Sequence, residues 1–201
     1  MVPRQDAILN LSRLLSHAPG LDPEVVGDGM LAPTAAQLEA DGLRLHGPLS
    51  WHVVVRSTGG TDDFLAEGEV SGTAVMECRR CLSDAFVEVK ASFIYPMVYR
   101  PAQEANLLLL EAPLRDGELE EALDQDDVLA FGAPEADFGP LLRQVFAIDL
   151  PLTGLCRPDC RGLSVDGVDL NQHPDHVAPN AEGGPASPFE VLKDLDVDSR
   201  S

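Results

Sequence analysis

The stretch Phe64–Tyr99 reads FLAEGEVSGTAVMECRRCLSDAFVEVKASFIYPMVY, and its alternation decides the fold. Before Cys78, one face carries Phe64, Ala66, Gly68, Val70, Gly72, Ala74 and Met76, and the other carries Glu67, Glu69, Ser71, Thr73 and Glu77. After Cys81, Val87, Val89, Ala91, Phe93, Tyr95, Met97 and Tyr99 alternate with Glu88, Lys90 and Ser92. Successive strand side chains point to opposite faces, so period two on both sides of a short polar break predicts a hairpin. Its tip is Cys78-Arg79-Arg80-Cys81. Two thiols three residues apart in a tight turn can share one tetrahedral metal ion, which then needs two further ligands.

Cys156 and Cys160 are the chain's other two cysteines, and 74 residues separate them from Cys81. Two close pairs, each in its own turn, suit a closed structural zinc site of four thiolates, so one zinc per chain is the expected cofactor. Three readings stay open beside it. The thiols can be unmetallated and packed as small hydrophobes. They can do disulfide or redox chemistry, although a thioredoxin-type site wants a helix after its C-x-x-C, and strands flank this one. Cys156 and Cys160 can also pair with His173 and His176, whose H-x2-H spacing is one residue short of the usual finger pattern.

Bulk composition narrows the function classes. The chain has 201 residues, 44% of them apolar, enough for one core. No run of 18 apolar residues occurs, and the N-terminus shows no secretory pattern, so a cytoplasmic protein with reduced thiols and no membrane partner is expected. The formal charge is −20, from 34 acidic and 14 basic residues. Such a surface repels phosphate backbones and attracts basic partners, although acidity also serves solubility alone.

Outward from the hairpin, Ile8–Leu15 is a short apolar segment that fits a strand or a helix. Pro19, Gly20, Pro23, Gly27 and Gly29 predict a loop, and Thr34–Ala40 a turn of helix. Leu43–Arg56 predicts a strand with Leu43, Leu45, Leu49, Trp51, Val53 and Val55 inward, and Pro48 suggests a bulge or edge. His46 and His52 fall on its polar face as solvent histidines. Glu104–Asp137 holds 11 acidic residues and one basic residue, Arg115, half the net charge of the chain. Its carboxylates are spread through a hydrophilic run with no apolar shielding, which fits a solvated or docking surface rather than acid–base catalysis. Leu107–Leu110 is an expected anchor within it. Gly139–Leu150 predicts a helix, with Pro140 at its first turn and Leu141, Leu142, Val145, Phe146 and Asp149 along one stripe. Pro151 ends that helix, which serves as an arm delivering Cys156 and Cys160.

Domain organisation follows: one α+β domain over residues 1–163, an antiparallel sheet packed by one main helix; a flexible acidic tail over 164–187; and a short docking motif over 188–195. In that motif Pro188 starts a turn of helix, and Phe189 and Leu192 fall on one side.

The layout resembles the YceD family of large ribosomal RNA subunit accumulation proteins. The resemblance rests on Ile8–Leu15, Cys78-Arg79-Arg80-Cys81-Leu82, the acidic Glu104–Asp137, the helix ending in Leu150-Pro151-Leu152, Cys156-Arg157-Pro158-Asp159-Cys160-Arg161-Gly162-Leu163, and Pro188-Phe189-Glu190-Val191-Leu192. It departs after Gly162-Leu163, where many members have a second C-x-x-C before an Asn-Leu-Asn; here Ser164-Val165-Asp166-Gly167-Val168-Asp169-Leu170-Asn171 has no cysteine. A four-cysteine zinc ribbon made from the C-terminal segment alone is therefore not possible.

The resemblance implies a role in synthesis, processing or stability of large-subunit ribosomal RNA and establishes no catalytic residues. Joined to the charge, it predicts a non-enzymatic assembly factor that holds a basic ribosomal protein or another assembly factor, with no small-molecule substrate. The alternative is direct rRNA binding through Arg79, Arg80, Arg157 and Arg161, which would surround the metal if the cysteine pairs meet. A metal-dependent enzyme would need an open zinc position or a carboxylate cluster, and neither is visible.

Overall fold

The structure is a computed structural model that describes residues 6–16, 23–59, 63–101 and 128–178. Its elements run β1 (Ile8–Asn10), α1 (Ser12–Leu15), β2 (Glu24–Leu31), α2 (Ala35–Ala40), β3 (Leu49–Ser57), β4 (Asp63–Glu77), β5 (Asp84–Tyr99), β6 (Leu129–Phe131), β7 (Glu135–Asp137) and α3 (Gly139–Ile148). The fold is α+β. A five-stranded sheet has the order β2-β3-β4-β5-β6, and β1 pairs with β7 in a separate two-stranded ribbon.

The alternation of Phe64–Tyr99 becomes the two longest strands, antiparallel from Asp63 opposite Val98 to Glu77 opposite Asp84. Their inner face buries Phe64, Ala66, Val70, Ala74, Val89, Ala91, Phe93 and Met97. Across the sheet, Trp51, Val53 and Val55 of β3 continue that face. Helix α3 lays Leu141, Leu142, Val145 and Phe146 onto it, all buried. Gly72 leaves room for Leu49 of β3 beneath the helix: a Cβ there would lie 2.6 Å from the Leu49 side chain, with the Phe146 ring at 3.6 Å in ordinary contact. The opposite face carries charged pairs such as Lys90–Glu69 at 2.6 Å and Arg56–Glu67 at 3.2 Å.

Several expectations are corrected. The sheet is not wholly antiparallel, because β6 joins β5 in parallel, Leu129 opposite Met97. The loop expected through Gly27 and Gly29 contains β2, which pairs with β3 along its whole length. Gly27 is there for packing, since a Cβ would meet Leu9 at 2.2 Å and the Trp51 ring at 3.2 Å. The strand expected from Leu43 begins only at Leu49. Gly47, at φ 97°, turns the chain first, and Leu45 bridges Ala74 of β4 instead. Ile8–Leu15 is a strand and then a helix, and the end of the acidic segment supplies β6 and β7. Asp149 is exposed and leaves the stripe of α3.

Thr34 caps α2 with a reciprocal capping box to Gln37. His46 and His52 are exposed, His46 edge-on to Phe86 at 5.0 Å. Residues 102–127, including Leu107–Leu110, and the terminal motif with Phe189 and Leu192 lie outside the described residues. From Ser164 to 178, where a tail was expected, the chain forms consecutive turns.

Candidate metal centre

Cys78 leaves the end of β4, and the turn to β5 is closed by two backbone bonds. The Cys78 N–H donates to the Ser83 carbonyl at 2.8 Å, and the Leu82 N–H to the Cys78 carbonyl at 2.9 Å. Leu82 takes φ 61°, the left-handed conformation that glycine adopts without a Cβ penalty. The sharp reversal aims the Cys78 and Cys81 sulfurs to one side.

The second pair arrives from α3. After Pro151 the chain docks on the hairpin: Gly154 bridges Cys78 in parallel, and the Arg79 N–H donates to the Gly154 carbonyl at 3.0 Å. Gly154 is small enough to lie over Met76, Ala85 and Val87, where a Cβ would already touch all three at 3.4 Å. Past Cys160, Gly162 at φ 82° crosses Arg80 so closely that a Cβ would stand 2.9 Å from the Arg80 carbonyl oxygen. That carbonyl accepts the Leu163 N–H at 3.0 Å. The two cysteine turns are thus stitched backbone to backbone.

All four sulfurs lie within 4.8 Å of one another. Cys78 Sγ is 3.8 Å from Cys160 Sγ, and Cys81 Sγ is 3.6 Å from Cys156 Sγ. Zinc–sulfur bonds of about 2.3 Å in a tetrahedron place sulfurs roughly 3.8 Å apart, so the spacing matches four-thiolate coordination. It far exceeds the disulfide length of about 2.05 Å, and the four cysteines are free. Cys78, Cys81 and Cys160 are buried and Cys156 half-buried. The donors fit zinc, and four sulfurs fill a tetrahedral site, leaving no open position for substrate.

Hydrogen bonds reach the sulfurs from outside the ligand set. Backbone N–H groups of Cys156 and Cys81 hold the Cys78 thiol down to about 6, against the cost of burial. The Ser83 hydroxyl, 3.0 Å from Cys81 Sγ, lowers Cys81. Burial pushes Cys156 up to about 12, and the neighbouring thiols push the same way. Sulfurs this close cannot all shed their protons without a cation among them. The Asn171 carboxamide donates to Cys160 Sγ at 3.3 Å. Sequence reading missed Ser83 and Asn171 as site residues.

The four arginines are exposed around this centre and each bonds within the chain. Arg80 Nη1 donates to the Cys160 carbonyl at 2.8 Å, Arg161 Nη1 to the Pro174 carbonyl at 3.2 Å, and Arg79 Nη1 to Thr153 Oγ1 at 3.4 Å. Arg157 Nε lies 3.6 Å from Asp159. His176 pairs with Asp166 at 2.8 Å, and neither it nor His173 joins the sulfur cluster.

Residues 66–196 match the family model described as "Large ribosomal RNA subunit accumulation protein YceD". Uncharacterized proteins of Mycobacterium tuberculosis strain H37Rv and of Mycobacterium bovis are each 27% identical over 121 residues, 58% of this chain and 49% of the relative. The chain thus spans about half the length of the curated relatives it matches. No solved structure matches it.

Proposed function

The chain belongs to the YceD family of large ribosomal RNA subunit accumulation proteins, and from that premise we propose that it is a non-enzymatic assembly factor acting through protein contacts. Its acidic surface holds a basic ribosomal protein or assembly factor, and one structural zinc on Cys78, Cys81, Cys156 and Cys160 pins the hairpin tip to the chain after α3. The observation that carries this reading is the charge of −20. Like charge opposes a general grip on RNA phosphates and steers basic proteins toward the surface. Many of the described basic groups are already spoken for, among them Arg44 by Asp84, Arg56 by Glu24 and Glu67, Lys90 by Glu69, and Arg143 by Asp41. A closed four-sulfur site also supports scaffolding over catalysis.

One observation favours a second reading, direct rRNA binding. Convergence of the cysteine pairs gathers Arg79, Arg80, Arg157 and Arg161, all exposed, about one point.

The test is capture from lysate at low and high salt, with and without RNase. Salt-sensitive, RNase-resistant capture of ribosomal proteins supports the first reading. Capture abolished by RNase, and by Arg79→Ala with Arg157→Ala, supports the second. Chelator-sensitive cleavage of RNA by the purified chain would overturn both.

A further inference from the structure

We propose that Asn171 is a positioning residue of the four-sulfur centre, its carboxamide N–H donating to the Cys160 sulfur and orienting it as a metal ligand. The inference rests on the zinc reading above and adds to it a residue outside the cysteine turns.

The orientation of the side chain is fixed. Asn171 Oδ1 accepts the backbone N–H of Arg161 at 2.8 Å, a partner that can only donate, so that end is the oxygen. The other end therefore faces Cys160 Sγ, 3.3 Å away, with both its hydrogens directed outward from the amide nitrogen. Asp169 Oδ1 takes the second hydrogen at 2.7 Å and also the Asn171 backbone N–H at 2.9 Å. The amide is thus held at three points and presents one N–H to sulfur.

Cys160 needs that donor. It is 2% exposed, so water cannot supply one. Its sulfur also lies 3.8 Å from the Cys78 sulfur, which is a fellow ligand and no hydrogen-bond donor once both hold the metal. A zinc ion with four thiolates keeps two excess negative charges, and hydrogen bonds from outside the ligand set disperse them. Cys78 has backbone N–H groups for this and Cys81 has Ser83; Asn171 does the same for Cys160. The turns from Ser164 onward thus serve the centre through an amide.

A purely local role would look different. An Asx-type turn needs only the Asp169 oxygens and the Asn171 backbone N–H; it does not require the amide N–H at a sulfur.

The test uses the full chain with cobalt(II) as probe. Exchanging the two residues, Asp169→Asn with Asn171→Asp, keeps an amide–carboxylate pair in the turn but removes the donor from Cys160. Asn171→Ala removes it without adding charge. Wild type is expected to give a four-thiolate tetrahedral cobalt spectrum. Both variants are expected to shift the sulfur-to-cobalt charge-transfer band to lower energy, because an undispersed sulfur lone pair is easier to oxidise. They should also bind cobalt about 10- to 100-fold more weakly in chelator competition, with a larger loss of stability in the metal-bound chain than in the metal-free one. Unchanged band energy and affinity overturn the role of Asn171 and leave the metal reading standing. Equal loss of stability with and without metal, at an unchanged band energy, reduces Asn171 to a turn residue and also overturns it. No cobalt uptake by wild type overturns both.

Discussion

The sulfurs of Cys81 and Cys156, 75 residues apart in sequence, stand 3.6 Å apart in space. With the Cys78–Cys160 contact at 3.8 Å, each half of the centre depends on the other. Protein purified without chelator is expected to carry one zinc per chain, and either Cys81→Ser or Cys156→Ser to lose it. At free zinc about 1,000-fold above Kd, binding adds about 4 kcal/mol to stability. For a chain of this size that corresponds to roughly 8–16 °C in Tm, read by calorimetry before and after chelation. Zinc retained by the Cys78→Ser/Cys81→Ser double variant would instead point to the cysteine–histidine arrangement.

Leu82 is the described non-glycine residue in left-handed backbone, and it sits exposed immediately after the second cysteine of the hairpin. A side chain there costs about 1–2 kcal/mol, and glycine returns about 0.5–1 kcal/mol of that as unfolded-chain entropy. Leu82→Gly is therefore expected to raise stability by up to about 1 kcal/mol, seen as a higher urea midpoint at unchanged slope. A lower midpoint would mean that the leucine makes contacts worth more than its strain.

Arg143 lies on α3 with its side chain 10% exposed, and its Nε meets Asp41 Oδ2 at 2.5 Å. Asp41 closes the C-terminus of α2, so the pair ties the two helices together. Asp41→Ala strands a guanidinium in the interior and should cost about 3 kcal/mol, the low end for a buried pair because Asp41 is partly exposed. Adding Arg143→Met should recover most of that loss. Chemical denaturation of the two variants checks both numbers, and a double variant no better than the single one would refute the ion-pair account.

Asp166 anchors the turns that follow the centre. Its carboxylate accepts from the Ser164 hydroxyl and meets His176 Nε2 at 2.8 Å. Ser164 first, and His176 second, hold its carboxyl below the ordinary value. A lowered folded value means the contribution is fully present above the unfolded value of about 3.9, and is lost as pH falls through the still lower folded one. An NMR titration of the Asp166 carboxyl should inflect below the usual aspartate range, and Asp166→Asn should remove that acid-side step. An ordinary inflection would show that these bonds do not persist in solution.

The sequence by itself determined the hairpin, because strand alternation is a local property. A residue's face follows from its parity, and Phe64–Tyr99 holds its parity on both sides of Cys78–Cys81. Helix α3 was legible for the same reason, as was the family, which rests on short ordered motifs. β2 was not legible: its glycines read as loop, and only the Leu9 and Trp51 side chains packed against Gly27 explain why that one stands in a strand. The parallel addition of β6 was not legible either, since three residues carry no periodicity and their register comes from β5. Spacing suggested that the cysteine pairs meet. Tertiary structure decided it, through Gly154 against Cys78 and Gly162 against Arg80. Convergence of four sulfurs is a matter of a few ångströms, and a gap of 74 residues leaves that distance to be set by everything the chain packs between them.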